Sequence, residues 1–495
     1  MDSNQWNVAV IGGGFAGLSA ATDLASKGYK VTLLEKNSTT GGRGRMMKAA
    51  GFTFDMGPSW YWMPDVFENY FQRFGKKVSD YYELKRLNPS YRVFLENGEP
   101  LDVPADLSTF KRMLEKLEPG CGSAFDKFLR EAQTKYHVSM SDFVWKPSLS
   151  WTEFASPKLL SGAIKLQLFS SFSSHVRKYF KDPRIHQLLE FPVLFLGAKP
   201  DKTPSMYSLM NYADIALGTW YPQGGMSKIA EGMTRLANEM GVNIETECSV
   251  ESIHVNNKKA NSIVVNGVTR AFDAIVAAAD YHHVEQKLLS KEFRTYDENY
   301  WNRRTMSPSS LLFYLGIKGE INGLLHHNLF FDQSFATHAE SIYDQPQWPK
   351  NPLFYACVTS KTDQEVAPKG HENLFLLIPV APGLSSTEAE RDVYLLECLA
   401  RIKKHTGEDL TERIVFQKSY AHEEFSSDYN SFKGNAYGLA NTLVQTAILK
   451  PKMRSSKVKN LFFAGQLTVP GPGVPPSLIS GCIASEQLQQ YFNKN

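Results

Sequence analysis

The chain has 495 residues, of which 42% are hydrophobic and 21% are charged, and its net charge at pH 7 is only +3. This balance is typical of a folded globular protein and excludes a disordered chain. So small a net charge gives no general affinity for polyanions, and we expect no nucleic-acid partner. A chain of this length exceeds what one hydrophobic core can organise, so we expect two or three subdomains.

The cysteines and histidines form no recognisable metal or disulfide pattern. The five cysteines are scattered and contain no Cys-x-x-Cys pair, which argues against a zinc site and suits a reducing cytosol. The pairs His282-His283 and His326-His327 lack metal-ligand spacing, so we predict no metal. The first residues lack the parts of a secretory signal, and no apolar run reaches the ~18 residues that span a bilayer. We therefore expect a protein that is soluble or bound to a membrane surface.

A strand–turn–helix–strand unit is predicted at the start of the chain. An apolar strand over residues 7–11 is followed by a helical segment over 18–27 and a second apolar strand over 29–34. This is the context in which a G-x-G-x-x-G motif indicates a dinucleotide site. The motif itself is the run Gly12-Gly13-Gly14-Phe15-Ala16-Gly17.

The residue types of this motif suit a bound pyrophosphate. Gly12 permits a tight turn, Gly14 lets the backbone approach the phosphates, and Gly17 lets the helix pack closely on the strand. Phe15 and Ala16 belong to the turn just before the helix, whose amino terminus attracts the phosphate charge. The motif predicts a dinucleotide but does not decide between NAD and FAD.

A second group of charged residues and glycines follows the second strand. Glu35 ends that strand, where its carboxylate can bind a ribose hydroxyl and would repel a 2′-phosphate. The block 41–45 (GGRGR) offers further backbone and cationic contacts, although by itself it fits a glycine-rich turn with solvated arginines. The residues of this region that we expect to bind the cofactor are Glu35, Lys36, Gly42, Arg43, Gly57, Pro58 and Ser59.

This arrangement resembles the FAD-binding amino terminus of the flavin-containing amine oxidase and phytoene desaturase superfamily. Further blocks match in order: residues 221–226 with 243–250, then 272–280, and then 461–466 leading into 470–475. The phytoene desaturases carry the Pro-Gly-x-Gly-x-Pro turn of the last block, and residues 54–64 look most like the bacterial ones. The resemblance implies FAD as cofactor, with further contacts at Val250, Gly465, Gln466, Gly473, Val474 and Pro475.

The same resemblance implies the fold and the order of its parts. We expect an α/β protein with a Rossmann-type, glutathione-reductase-like FAD-binding domain, an inserted sheet-based substrate domain and a helical membrane-associating region. The FAD-binding domain is expected in three parts, with the other regions between them. The expected boundaries are 1–68, 210–288 and 455–495 for the FAD-binding domain, 69–209 for the helical region and 289–454 for the substrate domain.

Outside the cofactor motifs, several elements are predicted from local pattern. Residues 91–96 and 99–103 read as a hairpin with Asn97-Gly98 as its turn. Further strands are predicted over 311–317, 374–379 and 413–417. A long helix is predicted over 387–405, capped by Ser385 or Ser386, with acidic residues in its first turn. Another helix is expected from about residue 477.

The region 151–195 differs in kind, because apolar residues recur there at helical spacing beside basic ones. A basic amphipathic helix with aromatic residues is what an interfacial membrane contact requires, although a core-facing helix with a solvated basic face gives the same pattern. The apolar positions are Ile164, Leu168, Phe169, Phe172, Val176, Tyr179 and Phe180. The basic positions are Lys158, Lys165, Arg177, Lys178, Lys181 and Arg184, with Asp182 as the acidic exception.

The resemblance implies an FAD-dependent desaturase that introduces double bonds into an apolar polyene, with phytoene as the leading substrate. Desaturation by hydride transfer to a flavin needs no strong base, and we assign no catalytic acid or base. Only one dinucleotide fingerprint is present, so we expect a quinone or oxygen as the electron acceptor. We expect a carotenoid substrate, a membrane-surface partner and a cytoplasmic location, peripheral on the inner face of the cell membrane.

Alternatives stay open at this point. A hydroxycarotenoid 3,4-desaturase, a diapophytoene desaturase or a carotenoid isomerase would use the same cofactor motifs. From a different class, a flavin-free prenyl-lipid carrier would share the fold. The complete glycine fingerprint and Glu35 argue against the carrier.

Overall fold

The computed structural model describes residues 6–150, 153, 170–197, 199–442 and 445–494. Strands are numbered in chain order. They are β1 (Asn7–Ile11), β2 (Lys30–Leu34), β3 (Met46–Ala49), β4 (Phe52–Asp55), β5 (Leu84–Arg86), β6 (Tyr91–Leu95), β7 (Leu101–Val103), β8 (Trp220–Pro222), β9 (Asn243–Glu245), β10 (Val250–Asn256), β11 (Lys259–Val265), β12 (Val268–Ala271), β13 (Ala274–Ala277), β14 (Ser309–Lys318), β15 (His327–Phe331), β16 (Phe354–Cys357), β17 (His371–Val380), β18 (Ile414–Tyr420) and β19 (Leu461–Phe463).

The α-helices of five residues or more are numbered in the same way. They are α1 (Phe15–Ser26), α2 (Pro64–Gln72), α3 (Leu107–Leu117), α4 (Gly122–Val138), α5 (Phe172–Arg177), α6 (Pro183–Glu190), α7 (Ser227–Glu239), α8 (Glu298–Asn302), α9 (Phe335–Tyr343), α10 (Glu388–Thr406), α11 (His422–Tyr429) and α12 (Val474–Phe492). Within the described residues, none of the helices combines the length and the apolar character that crossing a membrane demands.

A five-stranded parallel sheet, in the order β19-β13-β1-β2-β9, forms the first layer of the fold. Its central strands are mostly apolar, apart from Asn7 in β1 and Lys30 and Thr32 in β2, because both faces of the sheet are covered. One face packs on α1 and α12, and the other faces a second apolar core that includes β10 and β11. The strands come from each of the three predicted parts of the FAD-binding domain; the domain boundaries stay predictions.

A seven-stranded mixed sheet, in the order β18-β14-β17-β16-β15-β6-β7, forms the second large layer. All its pairs are antiparallel except β15 with β6. It contains the predicted hairpin, now β6 and β7 with Gly98 in the left-handed region at φ 98°. The three other strands predicted from local pattern are confirmed as β14, β17 and β18, each extending beyond its predicted range at one end or both.

Several predicted boundaries are wrong by a few residues. The first helix begins at Phe15 rather than residue 18, and the last begins at Val474 rather than about 477. The predicted caps Ser385 and Ser386 are wrong, because Thr387 caps α10: its hydroxyl accepts from the Glu390 N–H (3.3 Å), and the Glu390 carboxylate accepts from the Thr387 N–H (2.8 Å). This reciprocal pair satisfies two backbone donors that a helix start leaves open.

The matching block 243–250 does not form one continuous strand. The chain forms β9 over Asn243–Glu245, breaks, and begins β10 at Val250 itself. The strand within 272–280 is confirmed but is shorter, because β13 covers only Ala274–Ala277.

The amphipathic pattern over residues 164–180 does not become one long helix in the part that the structure describes. Ile164, Leu168 and Phe169 lie outside the described residues. Phe172 and Val176 lie on the short helix α5, and both are fully buried, as is Phe180. In this stretch the apolar residues therefore pack into the protein core, while the basic side chains stay at the surface.

A buried ion pair holds α10 against the seven-stranded sheet. The Asp332 side chain, just after β15, is fully buried and accepts hydrogen bonds from Arg401, with which it forms an ion pair, and from His405 (2.8 Å). Burial alone would raise the pKa of Asp332, but the hydrogen bonds and the charges of Arg401 and His405 outweigh it and hold that pKa below its usual range. Both donors come from α10, so these contacts fix the position of the helix along the sheet.

We predict that Asp332→Ala lowers the free energy of unfolding by about 3–5 kcal/mol, because buried Arg401 loses its hydrogen bonds to Asp332, while Glu397, 3.7 Å away, is a weaker partner for its charge. Urea unfolding at pH 7 measures this. Asp344→Ala is the control, because Asp344 belongs to an exposed pair with Lys199 and should cost at most about 1 kcal/mol. A loss for Asp332→Ala as small as that of the control would contradict the structural role of the pair.

Candidate functional site

A cleft of about 1090 Å³, open solvent included, runs along the carboxyl ends of β1, β2 and β13. Ligands of parallel α/β sheets bind at this edge. Four distant parts of the chain meet there: residues 11–16, 34–43, 248–250 with 278–288, and 464–477. A further stretch, 428–430, closes one side.

The turn between β1 and α1 forms the floor of the cleft. Gly12 has φ 102°, which a side chain would strain, and its N–H donates to the Leu34 carbonyl (2.8 Å). A Cβ on Gly17 would lie 1.8 Å from the Gly12 carbonyl oxygen, so only glycine lets α1 pack this closely. The cap position Gly14 has no side-chain hydrogen bond to the helix, so the first N–H groups of α1 are not satisfied by a side-chain cap. Such a helix start favours a negatively charged ligand.

The Glu35 carboxylate lies at the end of β2, only 4% exposed. One of its oxygens accepts from the Gly13 N–H (2.7 Å), and the other accepts from the backbone N–H and side-chain amide of Asn37 (both 2.8 Å). Glu35 therefore ties the glycine turn to β2 as well as presenting an acceptor to the cleft. The neighbouring Lys36 also lines the cleft, with its ammonium bonded to the Ser427 carbonyl.

Arg43 and Asp280 form the charged centre of the cleft. Burial lowers the pKa of Arg43, and the Asp280 carboxylate works in the opposite direction. Burial raises the pKa of Asp280, against a hydrogen bond from the His283 N–H and the charge of Arg43. Nη2 of Arg43 donates to the Asn435 carbonyl (3.2 Å), whereas its buried Nε has no hydrogen-bond partner. A buried guanidinium nitrogen in this state is suited to an oxygen of a ligand.

The carboxyl-terminal part of the chain forms the far end of the cleft. After β19, the Gly465 N–H donates to the Ser480 hydroxyl on α12 (2.9 Å), which holds this turn against the helix. The Gln466 side chain lies against Asn435 and Arg43. The cap position of α12, Gly473, has φ 111° and no side-chain hydrogen bond, so this second helix also begins without a side-chain cap.

The structure brings most of the predicted residues together and sets a few apart. Those that line the cleft are Gly12, Gly14, Phe15, Ala16, Glu35, Lys36, Gly42, Arg43, Val250, Gly465 and Gln466. Gly17 supports the turn from behind, and Gly57 does the same for Arg43, because a Cβ there would lie 2.9 Å from the Arg43 carbonyl oxygen. Pro58, Ser59, Gly473, Val474 and Pro475 do not line the cleft, although Ser477 of the same first turns of α12 does.

The motifs did not point to several residues that line the cleft. Asp428, Tyr429 and Asn430 come from the end of α11 and just beyond it, and the Tyr429 ring lies under Arg43, 5.0 Å from its guanidinium carbon. Their sequence carries no recognisable signal. His283 also lines the cleft, and burial together with Lys36 lowers its pKa to about 4, so it is neutral at pH 7. Asp280 ends the matching block 272–280, and a carboxylate that follows a buried strand is a usable signal of a functional residue.

A second, apolar cavity of about 460 Å³, open solvent included, lies against the seven-stranded sheet. Its walls come from alternate residues of β15 and β17, from two adjacent residues of β16 and from loops that face them. The residues are Phe191, Pro308, Leu329, Phe331, Leu353, Phe354, Tyr355, Leu377, Pro379 and Tyr437. A cavity with such a lining suits an apolar ligand.

The cleft fits a dinucleotide such as FAD on the geometry of its own residues. Glycines allow a ligand to approach the backbone, two helices begin there without side-chain caps, and Arg43 Nε lacks a partner. The N–H groups of the turn and of Arg43 and the positive amino termini of the helices are complementary to the negatively charged oxygens of a diphosphate. Glu35 supplies the acceptor that a ribose hydroxyl needs.

Comparison with known proteins gives one consistent result. The sequence profile of the family described as flavin containing amine oxidoreductase matches residues 15–489. A carotenoid 3,4-desaturase of Haloarcula japonica is 43% identical over 490 residues, covering 98% of this chain and 99% of that protein. The 4,4′-diapophytoene desaturase (4,4′-diaponeurosporene-forming) of Staphylococcus haemolyticus is 32% identical, covering 97% and 98%. A solved oxidoreductase from Methanosarcina mazei has the same fold, with a TM-score of 0.64 at 15% identity over 97% of this chain and 100% of that one.

We predict that Glu35→Gln weakens FAD binding by about 10- to 100-fold, because a hydrogen bond to a charged group contributes roughly 1.5–3 kcal/mol. The new amide would turn donors towards the Gly13 N–H, the Asn37 N–H or a ribose hydroxyl. Titration of the apoprotein with FAD, followed by fluorescence, measures the affinity. Glu292→Gln, at an exposed position, is the control and should bind like the wild type. Equal affinities for the two variants would contradict the role given to Glu35.

Proposed function

The chain belongs to the flavin containing amine oxidoreductase family, and from this membership we propose that it is an FAD-dependent carotenoid desaturase. The observation that carries the proposal is the apolar cavity beside the dinucleotide cleft. One short segment joins them, because the Asn435 carbonyl accepts from Arg43 in the cleft while Tyr437 lines the cavity. Relatives named as carotenoid desaturases along their whole length support the same reading.

The cofactor is FAD, and within this family the chain is an oxidoreductase. We infer that the parallel-sheet layer is a glutathione-reductase-like FAD-binding domain. The start of α1 then holds the pyrophosphate, Glu35 a ribose hydroxyl, and Val250 the adenine. Gly465 and Gln466 would lie beside the flavin ring, with the start of α12 (Gly473, Val474 and Pro475) next to them and Gly57 supporting Arg43 from behind.

The residues of the apolar cavity do the positioning that desaturation needs. When bound, FAD supplies the hydride acceptor. Forming one double bond removes a hydride from an allylic carbon and a proton from its neighbour. Leu329, Phe331 and Leu377 exclude water from the polyene and hold it in a fixed orientation, which is the main contribution required of the protein. No catalytic acid or base is assigned, because the proton next to a delocalised cation leaves readily to a weak base.

The substrate is a long apolar carotenoid, with phytoene as the first candidate. A 3,4-desaturation of a carotenoid is the second candidate. It is favoured by the 43% identity to the Haloarcula japonica enzyme, which exceeds the 32% identity to the Staphylococcus haemolyticus enzyme. Both reactions use the same cofactor and the same kind of cavity. They differ in where the end of the carotenoid lies in that cavity.

The enzyme is proposed to work at the inner face of the cell membrane and to pass its electrons to a quinone or to oxygen. A carotenoid dissolves in the bilayer, so an enzyme at the surface has direct access to it. Exposed Lys178 and Lys181, between α5 and α6, offer charge to anionic lipid headgroups. In the described residues the apolar side chains nearby are buried, so the proposed contact is electrostatic there.

We predict that the flavin absorption of the holoenzyme bleaches when phytoene in liposomes is added without oxygen, while coloured polyene bands rise. Anaerobic absorption spectroscopy follows both changes together, because two electrons leave the substrate for each two that enter the flavin. Bleaching by a more unsaturated carotenoid but not by phytoene would select the 3,4-desaturase reading. A flavin spectrum unchanged by every carotenoid would contradict the proposed function.

We also predict that the protein floats with anionic liposomes at low salt and that Lys178→Glu/Lys181→Glu lowers this binding at least tenfold. Each basic side chain near an anionic surface contributes about 1 kcal/mol, and salt screens the attraction. The control is Lys258→Glu/Lys259→Glu in the exposed turn between β10 and β11. Flotation that is the same for both pairs would place the membrane contact elsewhere.

A further inference from the structure

A cluster of buried polar atoms without hydrogen-bond partners lies behind the turn that precedes α12. Its centre is Lys450, which is only 3% exposed and whose Nζ has no hydrogen-bond partner. Asn441 Oδ1 and Thr442 Oγ1 are also buried and without partners. We call these three residues the Lys450 cluster. Leaving an ammonium in this state is strongly unfavourable, so the cluster calls for a function.

The cluster lies directly against the turn 470–473. A Cβ on Gly471 would be 2.9 Å from Lys450 Nζ and 3.4 Å from Asn441 Oδ1, and Gly471 has φ 142°. Glycine at this position therefore lets the ammonium approach the backbone of the turn. Leu467 before the turn and Ser477 after it both line the dinucleotide cleft. Lys450 and Asn441 do not line the cleft themselves but lie behind the turn that joins these two lining residues.

The surroundings of Lys450 are neutral as well as buried. Burial is the cause that lowers its pKa to about 7, and no charged group among the described residues offsets it. The neighbours that face Nζ are the Asn441 carboxamide and the backbone of Gly471. A ligand with negative charge or strong hydrogen-bond acceptors could accept directly from Lys450 Nζ. Its negative charge would raise the pKa of Lys450 towards the ordinary value of a lysine.

We propose that Lys450 is a residue of the flavin site, whose Nζ donates to the acceptor edge of the flavin ring and balances the charge that the ring gains on reduction. The proposal rests on the proposed function only for the presence of FAD. Bound FAD would supply the hydride acceptor, the substrate's proton would leave to a weak base or water, and the Lys450 ammonium would keep its own proton. Lys450 and the amino terminus of α12 then act in the same direction, because both favour negative charge at this end of the cleft.

The test uses the FAD-loaded protein and measures the two-electron reduction potential, so it does not depend on desaturase activity. We expect Lys450→Met to weaken the preference for reduced over oxidised flavin at least tenfold, which is about 30 mV for a two-electron couple. Lys450→Arg keeps the charge and should restore most of the potential. Lys452→Met is the control, because Lys452 is exposed two residues away and should leave the potential unchanged.

A second variant reaches the same atom from the turn. Gly471→Ala places a methyl group against Nζ and should shift the potential in the same direction as Lys450→Met. If Lys450→Met folds but no longer retains FAD while Lys450→Arg and Lys452→Met do, the loss also supports contact with the cofactor. An unchanged potential in FAD-loaded Lys450→Met would overturn the proposal.

The apoprotein gives a separate readout. The folded-state pKa of Lys450 is about 7, below that of an unfolded lysine, so its destabilising effect is greatest below pH 7 and fades as pH rises. Lys450→Met should therefore raise the melting temperature of the apoprotein at pH 6, with a smaller gain at pH 9. A lower melting temperature for this variant at pH 6 would mean that Lys450 supports the fold itself, and this would contradict the proposal. If the variants shift the reduction potential as expected but the wild-type protein oxidises no carotenoid, only the proposed function would be rejected.

Discussion

The close crossing of α1 and α12 is the constraint on which the site depends. A Cβ on Gly481 would lie 2.1 Å from the Ala16 carbonyl oxygen, and the Ser19 hydroxyl donates to the Leu478 carbonyl (2.7 Å). Because the two helices are locked together near their starts, both amino termini open at the same end of the parallel sheet. Neither has a side-chain cap. Two helices more than 400 residues apart in sequence thus form one region that attracts negative charge.

The cleft keeps several polar groups in states that cost folding free energy. Arg43 Nε and Lys450 Nζ are buried without partners, and Asp280 is buried beside Arg43. Natural proteins tolerate such groups mainly at functional sites, where a ligand completes the hydrogen bonds. The opposite arrangement holds α10 on the seven-stranded sheet, where Asp332 has all its partners within the protein.

The amino-terminal half of the site could be predicted from sequence because its geometry is local. The spacing of Gly12, Gly14 and Gly17 and the distance to Glu35 follow from one strand–turn–helix–strand unit, and the structure places these residues as the motif implies. The far side of the cleft could not be predicted in this way. Asp428 to Asn430 reach it only through the tertiary fold, and Lys450 gives no sign in sequence that its ammonium is buried. The amphipathic pattern near Phe172 and Val176 shows the same limit, because periodicity identifies an apolar face but not what covers it.

Hydrogen–deuterium exchange with and without FAD tests most directly whether these distant stretches meet around one cofactor. The predicted result is slower amide exchange on FAD binding in all the peptides that cover residues 12–17, 41–45, 248–250, 278–283 and 464–477. These ranges include part of the lining of the cleft from each end of the chain and the turn in front of α12. Slower exchange confined to residues 12–17, or no change in any peptide, would contradict a single FAD site built from both ends of the chain.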